Sequence, residues 1–224
     1  MTVTKIYQIL LDAYGDSGWW PLLKNIDGNW VSVYSKEISK KVKTENEQLE
    51  IALGAILTQN TTWNNAQKAL INLKVNGLID IDNIISTDNG IIADLIKSSG
   101  YYNQKTLKIK EYARFIRNSG SINRSSLLTI KGIGSETADD ILLYGFDQPF
   151  FVVDAYTKRL FVRLGIINDG KSSYDLIQTI VQKEINDLYI LKDFHGLIVT
   201  HAKKHCRSKP DCIGCPFFEI CKNK

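Results

Sequence analysis

LLTIKGIGSETADDILLYGF, residues 127–146, decides how the rest of the chain is read. An apolar stretch stops at Ile130, the tight turn Lys131-Gly132-Ile133-Gly134 follows, and Ser135 opens a helix whose inner face carries Ala138, Ile141 and Leu142. Glycines at 132 and 134 permit a positive φ and let another backbone come close. The amides of such a turn, with a helix N-terminus behind them, form a positive concavity suited to a phosphodiester. Ile133, between the glycines, is expected to anchor the hairpin in the core. An ordinary helix–turn–helix junction with a glycine C-cap would look alike over these few residues. The acids Glu136, Asp139 and Asp140 fit either reading, because carboxylates in a first helical turn suit the dipole and can point away from the turn.

Outward from the hairpin, apolar residues recur with helical period. Leu49, Leu53, Ile56 and Leu57 share a face, as do Leu107 and Phe115, Leu160, Phe161 and Leu164, Leu176, Ile177, Ile180 and Val181, and Phe194, Leu197 and Ile198. Turn signals at Asn76-Gly77, Asp88-Asn89-Gly90, Asn118-Ser119-Gly120 and Asn168-Asp169-Gly170 punctuate them. Alternation is rare: KNIDGNWVSVYS at 24–35 and FFVV at 150–153 are the candidates for extended chain. The expectation is an all-α, two-lobed protein of nine or ten helices with short connections.

With 44% hydrophobic and 23% charged residues, the chain has the makings of a core and not of a disordered polymer. A net charge of +4 is a mild bias toward anionic partners. No stretch approaches the roughly 20 apolar residues of a membrane span, which excludes a membrane-spanning helix. MTVTKIYQILLDAYG reads as a first helix and not as a targeting segment. A monomer working in the cytoplasm, on the nucleoid if the source is a prokaryote, is expected.

All four cysteines crowd into HCRSKPDCIGCPFFEIC: Cys206, Cys212, Cys215 and Cys221. In a reducing compartment such a cluster favours a metal site over disulfides. Four thiolates suit tetrahedral zinc, although zinc sites more often show two Cys-x2-Cys knuckles and this chain has one.

The hairpin string resembles the helix-hairpin-helix of the endonuclease III (HhH-GPD) superfamily of DNA glycosylases. The resemblance continues in YGFDQPFFVVDAYTKRLFVRLG, where Asp154 falls at the family's catalytic aspartate, about twenty residues past Gly134. On its own Asp154 reads as a helix N-cap. The two roles are compatible, since a carboxylate fixed by capping stays ionised and can stabilise an oxocarbenium-like sugar. The resemblance implies a six-helix barrel domain at 40–150 containing the hairpin. It implies a second helical domain from 1–39 plus 151–224, with the cysteine loop at 206–221. The partner it implies is double-stranded DNA bearing a damaged base, gripped by Lys131, Gly132, Ile133 and Gly134, with a monovalent cation held at the hairpin.

Members that also cut the backbone carry a lysine two residues past the second glycine, which forms a Schiff base with the sugar. Here that residue is Glu136, which cannot form an imine, so a monofunctional, hydrolytic glycosylase is expected, with Glu136 and Asp154 both at the site. LTQNTTWNNAQKAL resembles the segment that fills the gap left by a flipped base, placing Asn60 there with Gln59 beside it. The cysteine spacing resembles the superfamily's four-iron (4Fe-4S) cluster loop, one residue shorter in its first gap. That iron–sulfur loop would present Lys203, Lys204, Arg207 and Lys209 to phosphates.

Trp19-Trp20-Pro21, LTQNT, SGYYNQK and Glu136 together resemble the 3-methyladenine DNA glycosylase III branch, in which tandem tryptophans line the base pocket. An alkylated purine is electron-poor and stacks well on an indole. The known alkyladenine member lacks the four-cysteine cluster, and this chain keeps it. An endonuclease III-like glycosylase/lyase acting on oxidised pyrimidines is the alternative within the family. A non-catalytic DNA-binding iron–sulfur module is the alternative outside enzymes. Mismatch adenine excision is disfavoured, because Lys224 ends the sequence just past the cysteines and leaves no room for a further recognition domain.

Overall fold

The computed structural model describes residues 1–118 and 121–222. The turn signal at Ser119-Gly120 and the terminal Lys224 lie outside the described residues. In chain order the elements are α1 (Val3–Tyr14), β1 (Leu22–Ile26), β2 (Asn29–Val33), α2 (Lys36–Lys40), α3 (Glu45–Thr58) and α4 (Trp63–Val75). Short helices α5 (Ile81–Ser86) and α6 (Asn89–Leu95) lead to α7 (Tyr102–Asn118), α8 (Arg124–Leu128) and α9 (Ser135–Asp140). The chain closes with α10 (Ala155–Leu164), α11 (Tyr174–Glu184) and α12 (Leu188–Lys204).

The described residues thus hold twelve α-helices, more than the nine or ten expected. Helices of five to seven residues such as α2, α5, α6 and α8 are too short to show a period of 3.6. The 24–35 stretch forms an antiparallel pair, Leu22 opposite Val33 through Ile26 opposite Asn29. Its turn is Asp27-Gly28, both at positive φ, the conformation a two-residue hairpin demands. FFVV forms no sheet. Its polar backbone is held by side chains instead: Phe151 N–H donates to Gln182, Phe151 C=O accepts from Gln178, and Val153 N–H donates to the Tyr174 hydroxyl.

Contacts divide the chain into two compact units. One comprises Met1–Pro21, Tyr34–Lys41 and Gln148–Lys224, with α1, α2, α10, α11 and α12. The other comprises Leu22–Val33 and Val42–Asp147, with the β pair and α3 to α9.

At the centre of the second unit is α3, started by a capping box between Thr44 and Glu47. Every residue from Leu49 to Leu57 is buried. One is a carboxylate: Glu50 accepts from the Leu23 amide at 2.6 Å and from Lys74 Nζ at 2.8 Å, so β1 and α4 are tied to α3. Buried Lys105, on α7, donates to the carbonyls of Leu57 and Ser99, both at 2.7 Å. It satisfies one orphan acceptor at the C-terminal end of α3 and another in the turn that precedes α7.

In the first unit the long helix α12 is the spine. Asp193 accepts from the Ser17 amide at 2.6 Å and the Tyr7 hydroxyl at 3.2 Å. Gly196 permits the closest approach: a Cβ there would lie 2.4 Å from Ser17 Oγ and 2.6 Å from Trp19 Cβ. One helix therefore seats α1 and the tryptophan segment together.

Candidate functional site

In the second unit the hairpin has the form its sequence asks for. Gly132 has φ +89°, a conformation that excludes most side chains. Ile133 is buried and its amide donates to the Ile130 carbonyl at 3.0 Å. Gly134 caps α9 with no side-chain cap bond, and a Cβ added to it would meet nothing within 4 Å. Lys131, Gly132, Gly134 and Glu136 are exposed. Asp139, by contrast, is fully buried and paired with Arg124 at 2.8 Å, so this acid serves to lock α8 to α9.

Gln59 and Asn60 reach this neighbourhood from the end of α3 and divide their work. Asn60 is exposed and sits at φ +54°, a left-handed conformation asparagine tolerates. The Gln59 Nε2 donates to the Gly132 carbonyl at 3.2 Å and the Thr137 hydroxyl at 2.8 Å, while its Oε1 accepts from Lys108 Nζ at 2.6 Å. The Lys108 stem lies against Gly132, where a Cβ would come within 2.4 Å of its Cε. Lys108 was not legible as a site residue, because on α7 it is one lysine of a solvated face.

In the first unit Asp154 caps α10. Its Oδ1 accepts from the Thr157 amide at 2.7 Å and hydroxyl at 2.9 Å. Its Oδ2 faces His195 Nε2 at 3.6 Å. Burial works to raise the carboxyl, and His195 and Thr157 outweigh it, holding Asp154 below the usual carboxylate range. Asp154 keeps 13% of its side chain exposed.

Trp20 is 4% exposed and belongs to the core, whereas Trp19 is partly open. Trp19 meets Tyr34 at 5.6 Å between ring centres and Trp20 edge-on at 5.3 Å. Lys203 rests its ammonium 5.5 Å from the Trp19 ring centre. Burial lowers its pKa and the charge of Asp154 opposes that, which places Lys203 in the same electrostatic environment as the carboxylate. Lys204 lies over Tyr14, while Arg207 and Lys209 stand exposed beside the cysteine loop. His195 and Tyr34 escaped the sequence reading. A single histidine in an apolar helix reads as core, and only its place opposite Asp154 gives it meaning.

The four cysteines form no disulfide among the described residues and line one pocket with Leu160, Leu164 and Phe217. Two arginines of α10 staple the loop: Arg159 Nε donates to the Cys206 carbonyl at 2.7 Å, and Arg163 donates to Cys206 Sγ at 3.0 Å and to the carbonyls of Arg207 and Ser208. Among the described residues no three His, Cys, Asp or Glu side chains converge on a point that would hold a single metal ion.

A helix-hairpin-helix, an exposed polar residue at a neighbouring helix end, and a capped, ionised aspartate define a class of protein that handles DNA bases. Comparison with known proteins agrees. Residues 53–187 match the model of the HhH-GPD superfamily base excision DNA repair proteins. A Methanocaldococcus jannaschii protein, named provisionally as a DNA repair glycosylase, is 42% identical across 99% of this chain and 96% of its own. Endonuclease III of Sulfolobus acidocaldarius is 33% identical over 80% of this chain and 83% of its own. Among solved structures, the H. pylori 3-methyladenine DNA glycosylase bound to 1,N6-ethenoadenine has TM-score 0.69 and 25% identity, over 91% of this chain and 98% of that one. An endonuclease III–DNA complex has TM-score 0.75 at 17% identity, over 98% and 94% of the two chains, a likeness of fold. The chain belongs to the HhH-GPD superfamily, and it is a DNA glycosylase of base excision repair.

Proposed function

We propose that this glycosylase is monofunctional: it flips an alkylated purine from duplex DNA, hydrolyses its glycosidic bond and leaves the strand intact. The observation that carries the reading is Asp154, held at Oδ1 by two Thr157 donors and kept ionised although buried. Such a carboxylate stabilises the positive charge that grows on the sugar as the base departs. Glu136 stands where strand-cutting relatives carry the imine-forming lysine and supplies no nucleophile.

Trp19 is the stacking surface in this account, and Trp20 supports it from the core. The Trp19 face already accepts the Lys203 ammonium, which supports it as a platform for an electron-poor base; that base would displace the ammonium. The H. pylori relative, bound to an ethenoadenine, supports a modified purine as the substrate class. The hairpin amides of residues 132–134 hold the phosphate with a monovalent cation, Lys131 adds charge, and Asn60 enters the gap left by the flipped base. A solved endonuclease III–DNA complex of like fold supports DNA as the partner.

Cys206, Cys212, Cys215 and Cys221 would hold a 4Fe-4S cluster. The shared pocket, its apolar wall and the Arg163 donor to Cys206 suit a cluster anion. Its contribution would be structural, fixing the loop that bears Arg207 and Lys209.

One observation favours a lyase alternative. Lys203 is an amine within the field of Asp154, with its pKa lowered by burial. Incubation with methylated DNA and with thymine glycol duplexes, with and without alkali, separates the readings. Base release with breaks only after alkali is expected. Breaks without alkali, with a borohydride-trapped adduct lost in Lys203→Met, would establish the alternative.

A further inference from the structure

Asp154 is gripped at one oxygen and faced at the other. Thr157 holds Oδ1 twice, and Oδ2 looks onto His195 Nε2 at 3.6 Å. His195 is 4% exposed, and its ring stands edge-on to Phe151, 6.4 Å between centres at 89°. The next residue, Gly196, packs closely on the Ser17–Trp19 segment, where an added Cβ would come within 2.4 Å of Ser17 Oγ. A buried imidazole is stabilised by a hydrogen-bond partner, and Asp154 Oδ2 is the carboxylate oxygen that its Nε2 faces.

Other charged groups of this unit have partners of their own. From α10, Asp154 faces the ring, while Arg159 and Arg163 turn to the cysteine loop. From α1, Tyr7 pairs with Asp193 at 3.2 Å; from α2, Lys36 pairs with Asp16 at 2.8 Å. On α12 itself Lys192 donates to the Ser39 carbonyl at 3.1 Å, and Lys203 lies over Trp19, where it also feels the Asp154 charge. Asp154 is the partner of His195 that bears on the reaction.

We propose that His195 is a positioning residue for Asp154: its neutral imidazole donates from Nε2 to Oδ2 and aims the carboxylate at the sugar, and its protonation weakens catalysis. The inference rests on the reading of Asp154 as the group that stabilises the developing cation. At 3.6 Å the contact is longer than a finished hydrogen bond. Catalytic hydrogen bonds commonly tighten once substrate is bound. A neutral donor orients the carboxylate and leaves its full negative charge facing the sugar. An imidazolium in the same place forms a neutral pair and cancels much of that charge in a site of low dielectric. Excision should therefore fall, with a one-proton slope on the acid side, as His195 gains a proton.

The test uses DNA methylated with dimethyl sulfate, following single-turnover release of 3-methyladenine from pH 5 to 9 with the uncatalysed release subtracted. Wild type, His195→Gln, His195→Phe and Asp154→Asn are compared, with DNA affinity and circular dichroism measured alongside. His195→Gln retains an N–H donor that cannot titrate. It should stay within about threefold of wild type at pH 8 and lose the acid limb. His195→Phe removes the donor and should be slower by on the order of tenfold to a hundredfold throughout. Should His195→Phe fail to fold, the profile of His195→Gln decides alone. An acid limb unchanged in His195→Gln, or a His195→Gln as slow as His195→Phe, overturns the proposal. Full activity of Asp154→Asn would instead overturn the reading of Asp154 beneath it.

Discussion

The side-chain amide of Gln59 donates to the carbonyl of Gly132 at 3.2 Å, joining the end of α3 to the phosphate hairpin. Lys108 completes the joint by donating to Gln59 Oε1 and lying across Gly132. The segment proposed to enter DNA and the turn proposed to hold its backbone are thereby joined in one piece.

Lys108→Met should loosen that piece without unfolding the unit. A lost charge-assisted hydrogen bond of about 1.5–3 kcal/mol predicts a clear fall in affinity for a damaged duplex, measured by fluorescence anisotropy. Unchanged affinity would mean that the joint has no part in binding.

The two hairpin glycines should behave differently. Gly132→Ala meets the Lys108 stem at 2.4 Å and forces an L-residue to φ +89°, so it should destabilise the fold, by about 1–3 kcal/mol in urea denaturation. Gly134→Ala adds a methyl into open space at φ −95° and should leave stability nearly unchanged while weakening DNA binding. Equal stability losses at both positions would contradict the assignment of Gly134 to backbone contact.

Lys105→Met keeps the stem of a buried lysine and removes donors from the Leu57 and Ser99 carbonyls. Leaving two buried acceptors without partners should cost about 2–6 kcal/mol, read as a lower urea midpoint. A neutral result would show that water replaces the ammonium.

Iron removal by chelation under oxidising conditions should abolish absorbance near about 400 nm and weaken DNA binding, and Cys215→Ser should do the same. A protein that binds zinc and shows no such absorbance would refute the cluster assignment.

Much of this was legible in the sequence because it is local. The hairpin, the N-cap at Asp154 and the Asp27-Gly28 turn are each determined by a few adjacent residues. Four crowded cysteines likewise announce themselves. What stayed hidden depends on partners far apart in the chain. Trp19 and Trp20 are identical in type and adjacent, and only packing makes one core and the other open. Lys203 read as a phosphate contact borne by the cysteine loop, but it lies on α12 and rests over Trp19. His195 gains its meaning from an aspartate in another helix cap. The short helices were missed for a different reason: five residues hold too little periodicity to read.

The most direct test of the central claim is excision of 3-methyladenine from methylated duplex DNA by wild type and Asp154→Asn, with strand integrity read before and after alkali. The account predicts base release by wild type, intact strands until alkali is added, and loss of release in Asp154→Asn with DNA affinity retained. Breaks appearing without alkali, or undiminished release by Asp154→Asn, would contradict it.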